Sequence, residues 1–455
     1  MKTAFVPVIA AKPTNLRRGT QRLPSVTLTS VFVFFVCFSA WIPFAINLGG
    51  LNLRVSQILL PLVFLWLLTH KATWSTARSS LPLVVGGFVL WGAFLFWTAV
   101  NFSSYTSLIK PLGRVFLLGL NLLHLFAMYW LVVRTQQWRG AVMALLVSVT
   151  FFNMLLIIVT IGAGLSIPFF RGMVAQEGGM ALVGGELVHT QVERFKFSGV
   201  SGGVISAAVL AIVAAILMTP RSKPARWLWF MGIINVIGLV VGFSRQNVIS
   251  LVGGLGLVGL YLFLRKRLQR LARFVVLIPV IIIIGLWIIS LLPGGLGFYE
   301  AFVGRTLQLF QPEAYATGTV GGRLQLWSGM WNDVVRNPFW GHGQDAYLKY
   351  HLNPGEEGSH NFPLEVLHAA GLIGFLGYGV LHSLVLARGW RGAFCRSASE
   401  TDRYLLLGLV GAATALWLSS LTNLVFTTPL YWVMLGLVVA GVRLTCSVSR
   451  NVGQS

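Results

Sequence analysis

Twelve apolar runs, most of them long enough to cross a bilayer, leave this chain few ways to fold. They lie near residues 26–46, 53–69, 81–100, 112–133, 141–162, 199–218, 226–243, 246–264, 274–292, 363–386, 404–421 and 427–445. A helix needs about 20 apolar residues to cross roughly 30 Å of hydrocarbon. Of 455 residues, 56% are hydrophobic and only 10% charged, so a water-soluble fold would lack polar residues to cover its core. The expected fold is an all-α polytopic membrane protein of about 12 transmembrane helices. One stretch, 226–264, is interrupted by Ser244, Arg245, Gln246 and Asn247. Such a polar break between apolar helices is tolerated only where protein or water satisfies it.

The charge pattern orients the helices. A net charge of +22 would suit nucleic acid, but the basic residues stand in short clusters between the apolar runs, which argues against that partner. If both termini are cytoplasmic, the inner segments hold 23 of the 34 Lys and Arg, as the positive-inside rule requires. Ten of the twelve acidic residues fall on the outer side, all but Glu400 and Asp402, so that side carries both signs of charge. The N-terminal tail, 1–25, contains Lys2, Lys12, Arg17, Arg18 and Arg22 and precedes a run longer than a leader core, which reads as a membrane anchor. The three cysteines, Cys37, Cys395 and Cys446, form no disulfide framework and no CxxC site.

The resulting organisation is a cytoplasmic tail (1–25), nine helices over 26–292 with an outer loop near 163–198, and a large periplasmic loop at 293–362. Three further helices (363–445) and a short cytoplasmic tail (446–455) complete it. The large loop is not built like a linker. Trp327, Met330, Trp331 and Val334 recur at helical spacing, which predicts a short amphipathic helix lying on the outer membrane interface. Asn337-Pro338 should end it, because the residue before proline avoids helical backbone.

Several polar groups are candidates for chemistry. Arg323 opens the amphipathic helix, where it either binds an anion or snorkels to headgroups. Arg245 stands between two spans on the side that the positive-inside rule opposes, either as an anionic-ligand contact or as a helix-end anchor. Arg194 and Lys196 precede an apolar helix and could hold a diphosphate, or pair with Glu193 or Glu186. Asn361 is a natural N-cap and Pro363 suits the first helical turn, which would fix His360 at a helix mouth. A neutral histidine there can take a proton from a hydroxyl nucleophile near pH 7. Asn361, Glu365 and His368 would share one face of that helix. His342 lies in Gly341-His342-Gly343. With His351, His360, Glu356 and Glu357 it matches no compact ligand motif, so no metal and no other cofactor is expected. The chain has no Walker loop, dinucleotide fingerprint or Gly-x-Ser-x-Gly. Gly202-Gly203 and Gly253-Gly254 read as close helix packing.

Taken in order, Arg323, Leu326-Trp327, Asn337-Pro338, Gly341-His342-Gly343, His360-Asn361 and Gly371-Leu372-Ile373-Gly374 resemble the motif set of the O-antigen ligase/polymerase family of bacterial envelope enzymes. Ser244-Arg245 is similar to a Ser-Arg of that family, and Arg194 with Gly199 to its Arg-x-x-Gly. The Pro-Asn that often follows is replaced here by Ser201-Gly202-Gly203. The resemblance implies a bacterial inner-membrane glycosyltransferase, working without a metal at the periplasmic face. The donor would be a glycan on undecaprenyl diphosphate. The acceptor would be lipid A–core for a ligase, or a second lipid-linked glycan for a polymerase, and the ligase is favoured. Arg245, Arg323 and His360 would be catalytic, and Arg194, Lys196, Asn361, His342 and Glu365 would bind substrate. A secondary transporter or flippase of an anionic lipid-linked solute is the alternative from another class.

Overall fold

The computed structural model describes residues 28–41, 45–48, 51–69, 80–104, 109–165, 167–171, 174–183, 186–195, 201–219, 226–241, 245–291, 318–350, 359–422 and 428–446. Each of the twelve apolar runs contains a helix. In order these are α1 (Leu28–Trp41), α2 (Val55–Leu68), α3 (Leu81–Val100), α4 (Ile109–Thr135), α5 (Trp138–Gly164), α6 (Ser201–Leu217), α7 (Arg226–Val241), α8 (Arg245–Leu264) and α9 (Leu268–Ser290). After them come the polar helix α10 (Gly318–Arg336) and the apolar helices α11 (Phe362–Ala393), α12 (Glu400–Ser420) and α13 (Pro429–Cys446). Among the described residues eight helices are long and apolar enough to cross a membrane, and α1, α2, α6 and α7 contribute four shorter apolar ones. Both chain termini lie outside the described residues.

The bundle packs α3 against α11, α4 against α13, and both α6 and α8 against α12. Between apolar helices in lipid, close van der Waals contact replaces the hydrophobic drive, and small residues permit it. A Cβ added at Gly254 would lie 3.0 Å from the Gly411 carbonyl oxygen, which is the close packing expected of Gly253-Gly254. Polar side chains inside the bundle satisfy one another. The Asn153 amide donates to Asn235 Oδ1 at 2.8 Å and to Ser206 Oγ at 3.0 Å, tying α5 to α7 and α6. In the first turn of α8, buried Asn247 of the polar break donates to the Leu239 carbonyl at 3.3 Å. At the far end, the Arg139 guanidinium forks onto Asp402 with two contacts of 2.7 Å, and the Ser399 hydroxyl caps α12 there.

Four features correct or add to the reading from sequence. The first apolar run is not one helix: α1 ends at Trp41, and Ala45–Leu48 pairs antiparallel with Leu51–Arg54. Pro43 lacks an N–H and disfavours helix in the residue before it, which stops α1 short of the run's end. The outer loop near 163–198 contains an antiparallel hairpin, Val174–Val183 with Glu186–Phe195. The inner face of α10 consists of Leu326, Met330 and Val334, while Trp331 turns outward, 54% exposed, beside Leu324 and Val335. That inner face meets protein. It is covered by Tyr347 and Leu348, from a short 3-10 turn at Ala346–Tyr350, and by Leu364 of α11. Finally, α11 is broken at Gly371, which has φ 63° and ψ −172°. As expected, α10 stops at Arg336, before Asn337-Pro338.

Candidate active site

The break in α11 builds the site. A left-handed φ interrupts the i to i−4 hydrogen-bond ladder, and the freed backbone groups must find other partners. The loop after α10 supplies them. The His342 N–H donates to the His368 carbonyl at 2.9 Å, Gly343 N–H to the Ala369 carbonyl at 3.0 Å, and Leu372 N–H to the Pro338 carbonyl at 3.1 Å. Contact this close requires bare backbone: a Cβ on Gly371 would sit 2.6 Å from the Phe339 oxygen, and one on Gly341 2.3 Å from the Ala369 oxygen. The end of α3 grips the loop from the other side. Thr98 Oγ1 accepts from the Gln344 N–H at 2.9 Å, Asn101 Nδ2 donates to the Gly341 carbonyl at 3.1 Å, and Trp97 meets Trp340 edge to face.

A buried polar chain runs from this loop to the mouth of α11. Arg114, near the start of α4, lies 2.5 Å from Asp345 Oδ1 and 3.3 Å from the Tyr347 hydroxyl. The Gln344 amide donates both to Asp345 Oδ1 at 2.9 Å and to Glu365 Oε1 at 2.8 Å. The Ser359 hydroxyl donates to the other Glu365 oxygen. Buried carboxylates are tolerated only when paired or hydrogen-bonded, and each member of this chain supplies the next. Burial first, and then the charges of Glu365 and Asp345, push the Tyr347 phenol well above its ordinary range. Tyr347 therefore stays neutral.

His360 stands at the end of that chain. Its φ of 54° is left-handed, which is uncommon for a residue with a Cβ and is held only where neighbours impose it. Both neighbours are fixed. The Trp327 indole donates to the Ser359 carbonyl at 2.7 Å, and the Asn361 side chain caps α11 by accepting from Leu364 N–H at 3.1 Å. His360 itself is partly exposed. Arg323 lies one helical turn before Trp327 on the same side of α10, and it donates to the Thr422 carbonyl at 3.4 Å just past the end of α12. The carbonyl end of a helix carries partial negative charge, which suits a guanidinium there.

A second polar cluster lies behind this mouth. Asp333 Oδ2 of α10 is 2.9 Å from Lys349 Nζ and 3.1 Å from His368 Nε2, and the His342 ring stacks on His368 with centroids 4.8 Å apart. Partial burial raises the Asp333 carboxyl, but Lys349, Tyr350 and His368 together pull it well below the carboxylate range. Burial lowers the Lys349 ammonium, and Asp333 and Tyr350 reverse that to a net rise.

Of the residues singled out from sequence, Arg323, His342, His360, Asn361 and Glu365 gather on the elements around the α11 mouth. Glu365 is only 3% exposed and both its oxygens are engaged, so it faces the interior of the protein. Arg245 is the first residue of α8, with its side chain outside the described set. Arg194 pairs with Ala175 across the hairpin, and its side chain is likewise not described. Lys196, His351, Glu356 and Glu357 lie outside the described residues. The sequence reading missed the roles of Arg114, Gln344, Asp345 and Asp333. Arg114 had a usable signal, since it is a charged residue inside an apolar run.

Comparison with known proteins bears on these same elements. Residues 230–379 match the family model described as O-antigen ligase, a segment reaching from α7 past the break in α11. The O-antigen ligase of Pseudomonas aeruginosa is 25% identical over 108 residues, 23% of this chain and 27% of that protein. The chain thus matches about a quarter of the length of that curated relative. The resemblance read from the motifs is shown on this segment, which contains Arg245, Arg323, His342, His360, Asn361 and Glu365.

Proposed function

We propose, from the O-antigen-ligase-like segment and the geometry built on it, that this chain is a membrane glycosyltransferase acting on a glycan carried by undecaprenyl diphosphate. The observation that carries the reading is the fixing of His360. A partly exposed imidazole is held in a left-handed backbone between two anchored residues, one of them bonded to Trp327 of the helix that also carries Arg323. The chain would sit in the bacterial inner membrane with its termini in the cytoplasm and the α11 mouth in the periplasm.

In the reaction, the acceptor hydroxyl attacks the anomeric carbon of the lipid-linked sugar. The new glycosidic C–O bond forms as the bond from that carbon to the phosphate oxygen breaks, with inversion. His360 takes or orients the hydroxyl proton. The leaving group is undecaprenyl diphosphate, and Arg323 and Arg245 stabilise the charge it develops in place of a metal. Arg194, Lys196, Asn361 and His342 bind the diphosphate or the glycan. Glu365 acts from behind, holding Ser359 and with it the backbone that presents His360.

Ligation to lipid A–core is the favoured acceptor chemistry. The family segment and the arginines serve a polymerase equally, so the products decide. Purified protein in lipid vesicles is given undecaprenyl-diphosphate glycan with and without lipid A–core. Glycan shifted onto lipid A–core only when that acceptor is present identifies a ligase, and a ladder of longer lipid-linked glycans without it identifies a polymerase. Wild-type turnover in both Arg323→Ala and His360→Ala would overturn the assignment of the site.

A further inference from the structure

Behind the His360 mouth, three elements converge on a group of metal-ligand side chains that the proposed transfer does not use as a metal site. Asp333 comes from α10, His342 from the docked loop and His368 from the first segment of α11, and one donor atom from each lies within 4.8 Å of the others. No metal was expected from the sequence, and of the histidines and glutamates weighed there for one, only His342 is in this group.

The chemistry of the cluster is directional. His368 is fully buried, and its Nε2 donates to the Asp333 carboxylate. An ion shared by Asp333 and His368 must therefore take Nε2, the ring nitrogen 3.1 Å from the carboxylate, replacing that hydrogen bond and leaving the ring proton on Nδ1. His342 is placed over His368 by its own backbone, which is bonded to the His368 carbonyl at 2.9 Å. Meanwhile Lys349, about half exposed, puts its ammonium 2.9 Å from Asp333. A half-exposed lysine at that carboxylate is a counter-cation that a metal ion would displace.

The geometry points to a site for a borderline divalent transition-metal ion of the Zn2+ type, held by His342, His368 and Asp333. Two imidazoles and one carboxylate suit Zn2+ or Co2+, whereas Mg2+ and Ca2+ prefer oxygen ligands throughout. Bonds of about 2.0–2.1 Å bring tetrahedral donors to about 3.4 Å, so the partly exposed His342 rotates inward to close the site. The ion would clamp α10, the loop and α11 together behind the mouth. The ion takes no part in the bond exchange proposed above; His342 would serve it in place of the substrate contact assigned to that residue, and metal binding is read without turnover.

The test needs no glycan. Full-length protein carrying a histidine-free tag is purified in detergent, stripped with chelator, loaded with Co2+ and passed over a desalting column. The expected result is one Co2+ per chain by elemental analysis, with the visible d–d absorption of a low-coordinate site. His342→Gln and Asp333→Asn should each lower the affinity at least tenfold while keeping the wild-type elution profile. Lys349→Met should raise it several-fold by removing the competing ammonium, and His360→Gln should retain one equivalent. The site is refuted if the wild type retains no Co2+, or if His342→Gln and Asp333→Asn bind it as the wild type does.

Discussion

The indole of Trp327 donates to the backbone carbonyl of Ser359 at 2.7 Å, joining α10 to the residue that precedes His360. Ser359 is fully buried, so that carbonyl has no water to fall back on. Trp327→Phe keeps most of the ring and removes the donor. We expect a stability loss of about 1–3 kcal/mol, the cost of one unsatisfied buried acceptor, and a larger fractional loss of turnover than of substrate binding. Thermal unfolding and a kcat–KM comparison read the two effects separately.

Gly371→Ala should be among the most damaging single-methyl additions in the protein. It combines a left-handed φ with a Cβ 2.6 Å from the Phe339 oxygen. We expect a loss of about 2–4 kcal/mol. Gly379 lies two turns on in the same helix, where an added Cβ meets nothing within 4 Å, so Gly379→Ala should be within about 0.5 kcal/mol of wild type or slightly stabilising. Melting temperatures of the two variants in one detergent check the contrast.

Arg114→Met removes the guanidinium from a buried carboxylate. Asp345 is 3% exposed at its side chain and Arg114 is 24%, so the loss is put at about 2–4 kcal/mol, discounted for the exposed partner. Adding Asp345→Asn should recover part of it, because the amide carries no charge to strand. A double-mutant cycle that proves additive would show the pair to be uncoupled.

The Asp333–Lys349 pair predicts a pH dependence of stability. Asp333 is held below its unfolded value of about 3.9, so its contribution is complete above about pH 4 and is lost as pH falls toward the lowered value. Lys349 is raised, so its contribution is complete below its unfolded value near 10.4 and is lost as pH climbs through the folded one. The stability gap between wild type and Asp333→Asn should therefore stay level from about pH 5 to 9 and narrow below pH 4. Denaturation midpoints across that range measure it.

The helices were legible in the sequence because hydrophobic length is a property of single segments. All twelve apolar runs hold helices, and Asn361 caps α11 as its type predicts. The face of α10 was misread because that helix is apolar on two sides. Met330 and Val334 turn inward with Leu326, while Trp331 belongs to an outer stripe with Leu324 and Val335, and spacing alone cannot divide the two. The break at Gly371 was hidden for another reason. A glycine within an apolar run signals close packing as readily as a left-handed turn, and here the turn is imposed by a loop about 30 residues upstream. The polar chain from Arg114 to Ser359 joins residues 245 positions apart, which no local pattern encodes.

The interruption in α11 separates rotational phase from length. In an unbroken helix, inserting or deleting one residue in the span would swing every side chain beyond it by about 100°. Here the orientation of Asn361, Glu365 and His368 is set by backbone bonds to the loop, on the near side of Gly371. The span can therefore be matched to a thicker or thinner bilayer while the histidine at the mouth keeps its aim.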